Sequence, residues 1–172
     1  MLIYTPKITS RIQYSFELIF NSILNIDYDL SEDVVFFQNF SGPKLNYSKI
    51  QLENEFFIKA YGLLSERGIS DQEIIFDKWN ELPIFFKIKD SILPFDIFSA
   101  SFYLVTRYEE YLPHIKDKYE RFDAKESLAF NNNFLHRPLI NLWVEELKNI
   151  FKMKLPSLEF PQNKFSYQST ID

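Results

Sequence analysis

Apolar positions along this chain change period several times, and each change predicts an element. Residues 94–114, Pro-Phe-Asp-Ile-Phe-Ser-Ala-Ser-Phe-Tyr-Leu-Val-Thr-Arg-Tyr-Glu-Glu-Tyr-Leu-Pro-His, contain the longest stretch with apolar or small groups on every side. That pattern belongs to a helix sunk in a core rather than lying on one. Asp96 can cap its first turn, because the first backbone N–H groups of a helix have no internal partner. Pro113 closes the far end. Between them the polarity flips: Arg107, Tyr108, Glu109, Glu110 and Tyr111 place three charges and two phenols at the helix exit.

Upstream, Leu2-Ile3-Tyr4, cut by Pro6, predicts a first strand. Ser10 with Gln13 forms a capping box ahead of Ile12, Phe16, Ile19, Phe20 and Ile23, which share one helix face. Asn25 can end that helix in a left-handed conformation. Over residues 26–50 the pattern shortens to alternation at Ile26, Tyr28 and Leu30, the run Val34-Val35-Phe36-Phe37, and Leu45 with Tyr47. Three short strands joined by tight turns are expected there. Phe56-Phe57-Ile58 predicts another strand, before a loop or short helical turn containing Gly62 and Gly68. Ile74-Ile75-Phe76 and Ile84-Phe85-Phe86 predict a hairpin with a longer loop, Trp79-Asn80-Glu81-Leu82-Pro83.

Helix dominates the second half. Asp123 with Glu126 predicts a short helix through about Ala129, and Pro138 opens a long one whose inner face carries Leu139, Leu142, Trp143, Leu147, Ile150 and Phe151. The expected architecture is a single α+β domain over residues 1–155. Its mixed sheet is built mainly from residues 2–88 and covered by helices near 10–24, 96–111 and 138–153. Residues 156–172 read as a linker ending in a strand-like Phe165-Ser166-Tyr167-Gln168-Ser169-Thr170-Ile171-Asp172.

Composition narrows the chemistry. A chain of 172 residues can bury a core without disulfides, and it has no cysteine, which removes thiolate zinc sites and a cysteine nucleophile. A net charge of -5 argues against a general phosphate-binding surface, so no nucleic-acid partner is expected. The start, Met-Leu-Ile-Tyr-Thr-Pro, lacks the basic and apolar regions of a secretory signal, and no apolar run approaches the ~20 residues of a membrane span. The expectation is a cytoplasmic protein with no membrane span.

Aromatics reach 18% against only 3 glycines, which suits a Phe-rich core and makes a phosphate-cradling glycine loop hard to build. Exposed aromatics such as Trp79 or Tyr108 would be the ones to stack on sugar faces, the basis of an alternative reading as a carbohydrate-binding module. The two histidines, His114 just after Pro113 and His136 two residues before Pro138, give little ground for a metal site. Glu73, Asp77 and Lys78 are the only loose match to a metal-dependent nuclease, a third reading, and they lack the usual acid-x-Lys spacing. At the helix exit Arg107 can pair with Glu110 or Tyr111 as a structural device. It can equally clamp an anionic or hydroxyl-rich ligand in a pocket oriented by Glu109 or Glu110.

Several stretches in one order carry a resemblance: Leu93-Pro94-Phe95-Asp96-Ile97-Phe98-Ser99-Ala100, Arg107-Tyr108-Glu109-Glu110-Tyr111-Leu112, Arg121-Phe122-Asp123-Ala124, Phe134-Leu135-His136-Arg137-Pro138-Leu139 and Thr170-Ile171-Asp172. Together they resemble the N-terminal domain of bacterial polysaccharide deacetylase-like proteins, in which a carbohydrate-esterase domain follows. Thr170-Ile171-Asp172 is similar to the start of that domain's first motif, with Ile in place of an aromatic. The resemblance implies that Asp172 is the general base only in a protein that includes the catalytic domain. It implies a divalent metal, zinc, for that domain and no cofactor for this one. The partners it implies are the chain's own catalytic domain and a glycan. On this expectation the domain is non-catalytic and positions the catalytic domain or its substrate, with Asp96, Arg107, Tyr108, Glu109 and Glu110 as its pocket or domain contact.

Overall fold

A computed structural model describes residues 1–161. Four short strands form one parallel sheet in the order β2-β1-β3-β4: β1 is Leu2–Tyr4, β2 Asp29–Ser31, β3 Lys44–Ser48 and β4 Phe56–Lys59. A separate antiparallel hairpin pairs β5, Asp77–Trp79, with β6, Leu82–Ile84. The class is α+β, with strand directions divided between two sheets. Among the described residues, no helix is long and apolar enough to cross a membrane.

Side chains alternate across a strand, so the parallel sheet has two distinct faces. Ile3, Leu45, Tyr47, Phe56 and Ile58 share one of them and are buried. Against it pack α1, Ser10–Phe16 continuing as a π-helix over Glu17–Ile23, and α3, Ile97–Val105. The centre is aromatic: Phe98 lies 4.5 Å from Phe16, 5.1 Å from Tyr47 and 5.6 Å from Phe20, ring to ring. Ser15 lets α1 approach α3 closely and donates its hydroxyl to the Phe98 carbonyl at 2.9 Å. The last helix, α5, Leu139–Lys154, inserts Phe151 4.7 Å from Phe56 and Trp143 5.1 Å from Phe95.

Several expectations are corrected. Val34-Val35-Phe36-Phe37 is no strand but the start of α2, Val34–Asn39, because Asp33 accepts from the Val35 and Phe36 N–H groups at 2.9 and 3.0 Å. That cap outweighs the β propensity of the run. It sets Phe37 against Tyr4 on the sheet's second face, with rings 5.4 Å apart. The first helix is capped by Thr9, whose hydroxyl accepts from Ile12 N–H at 3.1 Å, not by Ser10 with Gln13. Asn25 ends it at φ 54°, as its residue type suggests. The hairpin turns on Asn80 and Glu81 alone, at φ 49° and 60°, the left-handed pair of a two-residue turn, so its strands lie closer to the turn than expected. The buried helix stops at Val105 rather than running to 111. The stretch over 123–129 divides into a 3₁₀ turn, Ala124–Glu126, and α4, Leu128–Asn131.

The two strands within residues 26–50, β2 and β3, do not pair through a tight turn but run parallel on either side of β1, and the next crossover is unusually short. Residues 49–55 return the chain from β3 to β4 without a helix, where a dozen or more residues are usual. Side chains replace the missing helix. Asn46 donates to Glu55 Oε1 at 2.7 Å and to the Ile50 carbonyl at 2.9 Å, and Glu55 accepts from Leu52 and Glu53 N–H at 2.9 and 2.7 Å. Burial pushes the Glu55 carboxyl up, but these hydrogen bonds outweigh it and hold the group below its ordinary value.

Asp96 joins the sheet to α3. Its Oδ1 accepts from Phe98 and Ser99 N–H at 3.1 and 3.0 Å, the cap expected from sequence. Its Oδ2 accepts from the Tyr47 hydroxyl at 2.8 Å, the Ser99 hydroxyl at 2.7 Å and Tyr61 N–H at 2.8 Å. Asparagine offers one acceptor oxygen and would turn an N–H₂ toward donors. Asp96→Asn is therefore expected to lower the unfolding free energy by about 2–4 kcal/mol in urea denaturation, and Tyr47→Phe by only about 1 kcal/mol. Equal losses for the two would contradict the central place of the carboxylate.

A candidate cleft at the exit of the buried helix

Helix α3 is stopped from within. The Thr106 hydroxyl donates to the Phe102 carbonyl at 2.7 Å, and Arg107 takes a left-handed conformation at φ 53°. The chain swings into a 3₁₀ turn, Tyr108–Tyr111, which sends its four side chains in different directions. Tyr108 goes inward and is buried. Its hydroxyl accepts from Ser70 N–H at 3.0 Å and donates to the Ser70 carbonyl at 3.2 Å, while the Arg11 guanidinium lies 5.7 Å from its ring centre. Tyr111 faces solvent. Arg107 is exposed and forms an ion pair with Glu110 across the turn.

Glu109 points across to the next segment and accepts from the Leu128 N–H at 2.9 Å, at the head of α4. Burial, reinforced by the nearby Glu110 charge, pushes its carboxyl above the ordinary glutamate value. The Leu128 hydrogen bond and Arg107 pull the other way and lose.

Between this turn, residues 122–129 and the start of α5 lies a cleft of about 390 Å³. Leu104 and Val105 line it from α3, Phe122 and Ala124 from the facing segment, and Phe134, Leu135, Leu139 and Ile140 from the approach to α5. Arg107, Glu109, Glu110, Arg137 and Asn141 supply its polar edge. A second hollow beside it shares Arg107, Glu110 and Phe122 and adds Asp117 and Arg121, which are paired at 3.0 Å. Val105, Tyr111, Ile115, Tyr119, Phe130 and Leu135 are all exposed on the segments that build this region.

The candidate residues from sequence are thus separated. Arg107, Glu109 and Glu110 meet at the cleft, whereas Asp96 lies in the core and Tyr108 is fixed beneath the turn. Tyr108 is 3% exposed and offers no face to a sugar, and Trp79 is half-buried 5.7 Å from the Phe95 ring. Asp172 lies outside the described residues. Of the loose nuclease set, Asp77 is engaged by Lys87 and Lys78 reaches Glu81. Among the described residues, no three His, Asp or Glu side chains converge to hold a metal ion. His114 packs on Phe122 at 5.1 Å, its Nδ1 2.8 Å from the Leu112 carbonyl, and His136 is exposed. Sequence reasoning assigned no role to Arg137, Phe122, Phe134 or Asn141. The only signal for the first three was their place in the stretches 121–124 and 134–139 that carry the family resemblance.

A family model described as a family of unknown function, DUF7033, matches residues 1–156. The chain belongs to that family. No curated protein and no solved structure matches it. Every wall of the cleft falls within the matched part of this DUF7033 chain.

The raised Glu109 carboxyl carries a pH signature. A carboxyl raised in the folded state binds protons more tightly there than in the unfolded chain, so its ionisation lowers stability as pH rises through that window. Glu109→Gln keeps an acceptor for Leu128 N–H and removes the charge. Urea denaturation is expected to show wild type losing stability relative to the variant from below the ordinary glutamate value up to the raised one, with a constant difference above it. A difference independent of pH would contradict the burial of this group.

Proposed function

We propose that this domain is a non-catalytic module that positions the catalytic domain of a polysaccharide deacetylase, using the face around the α3 exit. One observation carries the reading. Three stretches that resemble the deacetylase-associated domain, residues 107–112, 121–124 and 134–139, are separate in sequence yet line one cleft, with several exposed apolar side chains on the same segments. Large exposed apolar patches on a folded chain mark interaction surfaces rather than packing accidents. Charged side chains at the rim, Arg107 with Glu110 and Arg121 with Asp117, would set register on a partner more than affinity.

The metal and the general base belong, on this reading, to the following domain, with Asp172 as its first catalytic group. The coding sequence beyond Asp172 is expected to show a second acid at once and a His-x-x-x-His later, and the absence of both would remove the deacetylase link. Chitin- and peptidoglycan-type oligosaccharides titrated into the isolated domain are expected to leave its ¹⁵N–¹H spectrum unchanged. Saturable shifts at the cleft would favour carbohydrate binding instead.

A further inference from the structure

The cleft also has the size and lining of a small-molecule site, and its charges are unevenly spent. About 390 Å³ lies within the range of pockets that enclose small ligands. Leu104, Phe134, Leu139 and Ile140 give it an apolar interior. Both glutamates on its walls are already engaged, Glu110 by Arg107 and Glu109 by the Leu128 N–H. Arg137 is not. It stands exposed at the edge and, among the described residues, has no carboxylate within ion-pair distance.

We propose that this cleft binds a small organic acid, an apolar body bearing one carboxylate. The body lies against Leu104, Phe134 and Ile140, and the carboxylate meets Arg137. A guanidinium presents paired N–H donors that match the two oxygens of a carboxylate. A cationic ligand of the same shape meets Arg137 as a like charge. Glu109 opposes the acid from the turn side of the cleft, with one carboxylate oxygen already taken by the Leu128 N–H. This ligand chemistry goes beyond domain positioning and does not depend on a deacetylase domain following.

The test uses the full chain labelled with ¹⁵N and three probes with one apolar body: 3-phenylpropanoate, 3-phenylpropanamide and 3-phenylpropylamine. The acid is expected to shift the amides of residues 104–110 and 135–141 saturably, and to bind about tenfold more tightly than the amide, the gain of one charge-assisted contact. The amine binds no better than the amide. Arg137→Gln abolishes the preference for the acid while leaving the spectrum of the β-sheet unchanged, and Glu109→Gln tightens the acid severalfold. Equal binding of acid and amide, saturable shifts confined to other surfaces, no saturable shift with any probe, or a preference that survives Arg137→Gln would each overturn the assignment.

Discussion

Five donors converge on one buried carboxylate, and most of the structure is hung on that convergence. Asp96 takes two backbone N–H groups from the first turn of α3, a phenol from β3, a hydroxyl from α3 and the Tyr61 N–H from the chain leaving β4. Burial pushes its carboxyl above the ordinary aspartate value, against the pull of those donors. The same burial, aided by the charge of Asp96, raises the Tyr47 phenol well above its usual value, so that it remains a donor. A carboxylate so enclosed is costly to bury and more costly to disturb, because each donor left behind would be an unsatisfied group in the core.

The cleft inherits its shape from this anchor. Once Asp96 fixes the start of α3, the helix length is set by Thr106 bonding back to Phe102 and by the left-handed Arg107. Tyr108 then locks inward on Ser70 and leaves Glu109 and Glu110 at the opening. A chemically varied group of side chains is thereby mounted on the end of a rigid helix, while the facing wall, residues 113–127, is held mainly by local contacts such as Asp117 with Arg121 and His114 with Phe122. One wall belongs to the core and the other is tied down lightly, an arrangement suited to admitting a partner or ligand.

Much of this was legible because local chemistry and global packing agreed. Asp96 as a cap, Asn25 in a left-handed stop and Pro138 ahead of a long amphipathic helix follow from residue type and spacing, as does the core position expected for Asp96 to Val105, which holds through Tyr103 but fails at Val105, exposed at the helix end. The failures arose where two rules competed. In Val34-Val35-Phe36-Phe37 a single aspartate cap decided against four strand-forming residues. Strand direction was invisible, since the 49–55 crossover relies on Asn46 and Glu55, a pair whose meeting no local pattern announces. The cleft was half visible: its charged edge stood out as a break in an apolar run, but Phe122, Phe134 and Arg137 come from separate segments and gain meaning only when folded together.

Native-state hydrogen exchange tests most directly whether a rigid Asp96 centre supports a lightly held wall. The account predicts that the Tyr61, Phe98 and Ser99 amides, whose N–H groups meet Asp96, exchange only through global unfolding, with a denaturant dependence equal to that of the whole domain. The protected amides of residues 113–127 should exchange through local opening with little denaturant dependence. Exchange of the Asp96-bound amides at the rates of the 113–127 segment would contradict the account at its foundation.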